Sequence, residues 1–98
     1  MQLSYTENKM LRKLALLNIK KETTLVEIAR QLNVSRLHPT FNHVIKMLFE
    51  ANIFKLQRTI GKTKILTIDN SELRELIEVQ PDFDEFENYA VRWKVYAN

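Results

Sequence analysis

The sequence predicts a mostly α fold with one small β-hairpin, an α+β chain forming a single compact domain. Three observations carry that expectation. Apolar residues recur at helical intervals behind recognisable helix-start signals. Between residues 53 and 68 the apolar period falls to two around the only glycine, Gly61. Ninety-eight residues suffice for one domain and no more.

Ser4 and Glu7 stand at capping-box spacing and open the first helix, with Met10, Leu11, Leu14, Leu16 and Leu17 following at helical intervals. Lys20-Lys21-Glu22 reads as a connection. Thr24 and Glu27 repeat the capping spacing before a short helix with Leu25, Ile28, Ala29 and Leu32 on one side. Asn33 ends that helix, because asparagine tolerates the left-handed conformation of a helix C-terminus. Pro39 suits the first turn of the next helix, where its missing N–H is not needed. That helix sends Phe41, Val44, Ile45, Leu48 and Phe49 inward and stops at Asn52.

The hairpin admits two registers. A two-residue turn at Gly61-Lys62 has the favoured chemistry, with glycine first. A three-residue loop over 60–62 instead puts Phe54, Leu56, Leu66 and Ile68 on one face. The apolar pairing favours the second, since a one-residue slip sends those side chains to water. Asn70 or Ser71 then caps a helix through Val79, and Pro81 interrupts. Asp82 and Glu85 open a last helix over 83–97, with acids at its positive end and Arg92 and Lys94 near its negative end.

Composition excludes several classes. Apolar residues are 45% and charged residues 28% of the chain, the profile of a soluble globular protein. No apolar run approaches the ~18 residues of a membrane span. MQLSYTENK lacks the basic start and apolar stretch of a signal peptide, so a cytoplasmic location without membrane contact is expected. The absence of cysteine rules out disulfides and thiolate metal sites. His38 and His43 have no carboxylate at metal spacing, and Asp82, Asp84, Glu85 and Glu87 lack the glycine and loop spacing of a calcium site. No phosphate loop or nucleophile elbow is present, so neither enzyme activity nor a metal or cofactor is expected.

Charge is unevenly distributed. Residues 1–68 carry twelve Lys and Arg against four Glu, a balance of +8, whereas residues 69–98 carry eight acids against three bases, a balance of −5. A basic body with an acidic tail suits a polyanionic partner for the body.

TLVEIARQLNVS resembles the first half of a helix-turn-helix, with Asn33-Val34-Ser35 where many such proteins carry Gly-Val-Ser. HVIKMLFEANIF and RTIGKTKILTID resemble its second half and a wing. Residues 24–69 thus resemble a winged helix-turn-helix transcriptional regulator of the multiple-antibiotic-resistance and arsenic-resistance repressor type. The link VSRLHPT is longer than usual. The resemblance implies a winged-helix domain over 1–69, a C-terminal helical extension over 70–98, and sequence-specific binding of double-stranded DNA, with repression as the expected outcome.

The physics of groove reading assigns roles to residues. A major groove admits one α-helix, whose exposed N-terminal half meets base edges. Thr40, Asn42, His43 and Lys46 stand there, with Met47 beside them. Asn42 suits bidentate pairing with adenine, and His43 suits guanine or adenine. Arg36, His38 and Lys46 are candidate phosphate contacts. Arg58, Lys62 and Lys64 surround the hairpin tip and suit a phosphate backbone or a minor groove. The alternatives are a winged-helix module that binds another protein, or an RNA binder using the same basic face. The charge split favours nucleic acid, and the basic half lacks the interleaved aromatics of a single-strand binder.

Phe83, Phe86, Ala90, Trp93 and Ala97 form a stripe on the last helix, widened by Tyr89 and Tyr96, with Val91 and Val95 on the other side. A helix apolar on two sides has more to bury than one small domain offers. A homodimer interface is therefore expected on Phe83, Phe86, Tyr89, Ala90, Trp93 and Ala97, with part of the first helix. A twofold dimer sets two recognition helices about 34 Å apart on a pseudo-palindrome.

Overall fold

The computed structural model describes residues 3–79. The expected last helix, with the interface residues Phe83, Phe86, Tyr89, Ala90, Trp93 and Ala97, lies outside the described residues. The described elements are α1 (Tyr5–Leu17), β1 (Thr23–Thr24), α2 (Leu25–Leu32), α3 (Pro39–Glu50), β2 (Phe54–Ile60), β3 (Thr63–Ile68) and α4 (Asn70–Glu78).

Local chemistry accounts for the helix ends. Ser4 accepts from Glu7 N at 3.2 Å while the Glu7 carboxylate accepts from Ser4 N, so the capping box is complete. Thr24 caps α2 by accepting from Glu27 N. Three asparagines, Asn18, Asn33 and Asn52, take the left-handed conformation at φ of 47°, 58° and 60°. After α2, Val34 N donates to Ala29 O and Asn33 N to Arg30 O; after α3, Ile53 N donates to Leu48 O and Asn52 N to Phe49 O. Each pair of bonds satisfies carbonyls that a helix end otherwise strands. The cap of α4 is Asp69, one residue before the expected Asn70 or Ser71; its Oδ1 accepts from Glu72 N at 3.1 Å. Asn70 serves elsewhere: its Nδ2 donates to Ile19 O at 2.8 Å, holding the start of α4 to the segment after α1.

The sheet runs β1-β3-β2, all antiparallel. β1 was not expected; Thr23 pairs with Leu66 and Thr24 with Ile65, too short a strand for any period to reveal. The hairpin satisfies both registers at once. Phe54 faces Ile68 and Leu56 faces Leu66, as the apolar pattern requires, yet Ile60 faces Thr63 across the two-residue turn Gly61-Lys62. A bulge between Leu56 and Arg58 absorbs the extra residue. Gly61 sits at φ +61°, the conformation that the first turn position demands. The three-residue loop is thus corrected, while the pairing that motivated it stands.

All elements bury one core, whose fully enclosed side chains include Leu11, Leu14, Ile28, Phe41, Val44, Leu48, Phe54, Leu66 and Leu73. Phe49 meets Phe54 edge to face at 5.6 Å between centroids. Each such side chain contributes about 1.5–3 kcal/mol by leaving water. Three assignments change. Met47 is buried in the core rather than standing beside the outward residues of α3, Leu16 projects into solvent at 84% exposure, and Leu56, although paired with Leu66, is 51% exposed.

Candidate nucleic-acid interface

Packing Phe41, Val44, Ile45 and Leu48 inward turns the opposite face of α3 outward. Asn42, His43 and Lys46 are exposed there, and Thr40 is half-buried in the first turn. The structure therefore brings three of the four expected base-reading residues, Asn42, His43 and Lys46, onto one exposed face, with Thr40 at its edge, and it gives Asn42 and His43 side-chain partners.

His38 is the N-cap of α3: its Nδ1 accepts from Thr40 N at 3.2 Å. Arg36 Nη1 donates to Asn42 Oδ1 at 2.6 Å, and Asn42 Nδ2 donates to His38 O at 3.2 Å. The Arg36 guanidinium also lies 5.9 Å from the centre of the Phe41 ring. The turn and the outward face of α3 are thus one polar network, in which the turn's cation is held against α3.

His43 Nδ1 lies 2.8 Å from Glu7 Oε2, reaching the first turn of α1. Burial alone would raise the Glu7 carboxyl, but the side-chain and backbone hydrogen bonds to Ser4, with the contact to His43, outweigh it and hold the group below its ordinary 4.5. On the wing, Arg58 Nη1 pairs with Glu22 Oε2 at 2.7 Å, so the connection before β1 supplies an acid that the hairpin's own sequence lacks. Lys62 and Lys64 are exposed and carry no acid partner among the described residues.

The elements meet at a cleft of about 180 Å³ lined by Thr24, Leu25, Val26, Arg36, Lys62, Thr63 and Lys64. Three cations, one from the turn and two from the wing, thereby converge on the N-terminal end of α2, where the helix dipole is positive. Sequence reasoning found each cation but not their convergence, because Arg36 and Lys64 are neighbours only through the folding of β3 beside β1.

No protein-family model and no curated protein matches this chain. Among solved structures it is similar to one titled "staphylococcus aureus MarR in complex with salicylate and kanamycin", with a TM-score of 0.51 and 23% identity over 92% of this chain. The fold is a MarR-like winged helix. The chain spans 58% of that MarR chain. In winged-helix terms α2 and α3 are the helix-turn-helix, α3 is the outward helix, and β2–β3 is the wing.

Among the described residues no helix is long and apolar enough to cross a membrane, and no group of three or more His, Cys, Asp or Glu stands at metal-binding distance.

Proposed function

We propose that this protein binds double-stranded DNA in a sequence-specific manner and regulates transcription, as a repressor. One observation carries the reading: Arg36, Lys62 and Lys64 converge on a single cleft beside a helix whose exposed face presents Asn42, His43 and Lys46. A rod with polar residues on its outward face enters a major groove, and cations gathered beside it neutralise phosphates that border the groove. In this reading Asn42, His43 and Lys46 meet base edges. Thr40 supports them from the first turn, His38 fixes the start of the helix, and Arg36, Lys62 and Lys64 meet phosphates. Arg58 joins the phosphate contacts on release from Glu22. The function is binding rather than catalysis. The MarR-like fold and the +8 balance of residues 1–68 support it.

The acting species in this reading is a homodimer. Arg12, Ala15 and Leu16 of α1 and Arg74, Ile77 and Glu78 of α4 line an open apolar groove of about 390 Å³, with Leu16 84% and Val79 77% exposed beside it. In this reading the groove meets a second copy of the chain, and the apolar residues Phe83, Phe86, Tyr89, Ala90, Trp93 and Ala97, which lie outside the described residues, remain the contact that the sequence leads one to expect.

A salt titration of random-sequence duplex, followed by fluorescence anisotropy, tests the interface. Affinity falls linearly in log–log form, by close to one power of salt per phosphate contacted. Affinity independent of salt rules out the phosphate contacts. Sedimentation showing a monomer at micromolar concentration rules out the dimer.

A further inference from the structure

We infer that Glu7 is a positioning residue for His43: its carboxylate fixes the ring proton on Nδ1, so the neutral ring offers an unprotonated Nε2 to the major groove, an acceptor for the exocyclic amine of adenine or cytosine. The inference rests on the duplex-reading function proposed above and names the chemistry one of its residues reads.

The argument starts from Glu7 Oε2. That oxygen is sealed from solvent and makes no hydrogen bond of good geometry among the described residues. The other carboxylate oxygen accepts from Ser4 N in the capping box. A buried carboxylate oxygen without a donor is costly, and the one polar atom supplied to it is His43 Nδ1 at 2.8 Å. The proton therefore belongs on Nδ1, since the hydrogen bond made by one ring nitrogen sets the state of the other. The His43 side chain is 66% exposed while that of Glu7 is 15% exposed, so the acid is the fixed member of the pair and the ring is the presented one.

The base code gives this a consequence. In the major groove adenine N6 and cytosine N4 are donors, while guanine offers only acceptors at N7 and O6. A neutral ring held by Glu7 accepts from the amines, and a ring protonated on both nitrogens donates to guanine instead. Lys46 and Glu50 share a shallow depression with His43 and Met47, so the charged groups around the ring are Glu7 from α1 and Lys46 and Glu50 from α3. Glu7 lies 36 residues before His43 and on a different helix, which is why the pattern of α3 alone shows a histidine and not its orientation.

Two readouts on the full chain test the inference, with Glu7→Gln and His43→Ala as variants. Gln at position 7 keeps an acceptor for Ser4 N and so keeps the cap of α1. At about pH 8.5, where an imidazole is neutral, long-range proton–nitrogen NMR of the wild-type protein shows His43 protonated on Nδ1, and Glu7→Gln loses that bias. A wild-type ring protonated mainly on Nε2 overturns the inference. Selection from a random duplex pool then gives a preference for adenine or cytosine at one position, and both variants lose about tenfold of it at that same position. Unchanged base preference in Glu7→Gln, beside altered preference in His43→Ala, also overturns it. A protein that selects no duplex overturns the function on which the base-reading part rests, while the NMR result still decides whether Glu7 holds the ring.

Discussion

Arg36 Nη1 donates to Asn42 Oδ1 across 2.6 Å, so the cation of the turn and the amide of the outward helix face already satisfy each other. Duplex binding must exchange this bond for contacts to phosphate and base. Arg36→Ala and Asn42→Ala are therefore coupled. A double-mutant cycle in duplex affinity will show a non-additive term of about 0.5–3 kcal/mol, as contacting residues do. Additive losses would mean that the two side chains act independently in the complex.

The wing divides from the helix in what it contributes. Lys62→Ala and Lys64→Ala will each weaken binding evenly across sequences and lower the log–log salt slope by about one. Lys46→Ala and Asn42→Ala will instead relax preference at particular base pairs, by about 1–3 kcal/mol for a bidentate contact. Comparing titrations on selected and unselected duplexes separates the two classes.

Helix termination rests on asparagine in a chain with a single glycine. Asn33→Val and Asn52→Val place a β-branched residue at φ of 58° and 60°. Each will lower stability by about 1–2 kcal/mol in urea unfolding, the cost of a side chain in the left-handed region. Asn33→Gly and Asn52→Gly keep the conformation and will be close to neutral.

Acid will weaken the fold through depressed carboxyls. Glu27 is held down to about 2, chiefly by its hydrogen bonds from Arg30 and then Gln31, and Glu7 also lies below its ordinary 4.5. A depressed carboxyl contributes stability that is fully present above its unfolded value and is lost as pH falls through its folded value. Stability will therefore fall as pH drops from 4.5 towards about 2, and Glu7→Gln will remove part of that fall. The Glu27 contribution is exposed and will shrink in added salt.

The core prediction is simpler. Leu48→Ala removes a fully buried side chain where α3 meets the rest of the fold, and will cost about 2–5 kcal/mol. A loss below that range would show that the site collapses around the cavity.

Legibility in the sequence followed the range of the interaction. Ser4 with Glu7, Thr24 with Glu27, and Pro39 at a helix start are contacts within one turn, and their spacing displays them. So are Asn33 and Asn52, whose left-handed conformations need only local backbone freedom. The wing's pairing was readable from Phe54, Leu56, Leu66 and Ile68, but not the bulge, because a single inserted residue leaves both halves of the pattern intact. β1 is two residues long and shows no period. Met47 looked outward because helical phase alone leaves flanking positions ambiguous, and the packing on α3 decided it. The pairs that shape the candidate interface, Arg58 with Glu22 and His43 with Glu7, join residues 36 apart on different elements, and no local pattern encodes them.

Selection of bound duplexes from a random pool bears most directly on the claim that the outward face of α3 and the cationic wing read DNA together. Recovered duplexes will share a motif with twofold symmetry whose half-sites lie about one helical turn apart, and Asn42→Ala will blur defined positions in each half. Duplexes no different from the starting pool, or a motif unaffected by that substitution, would contradict the claim.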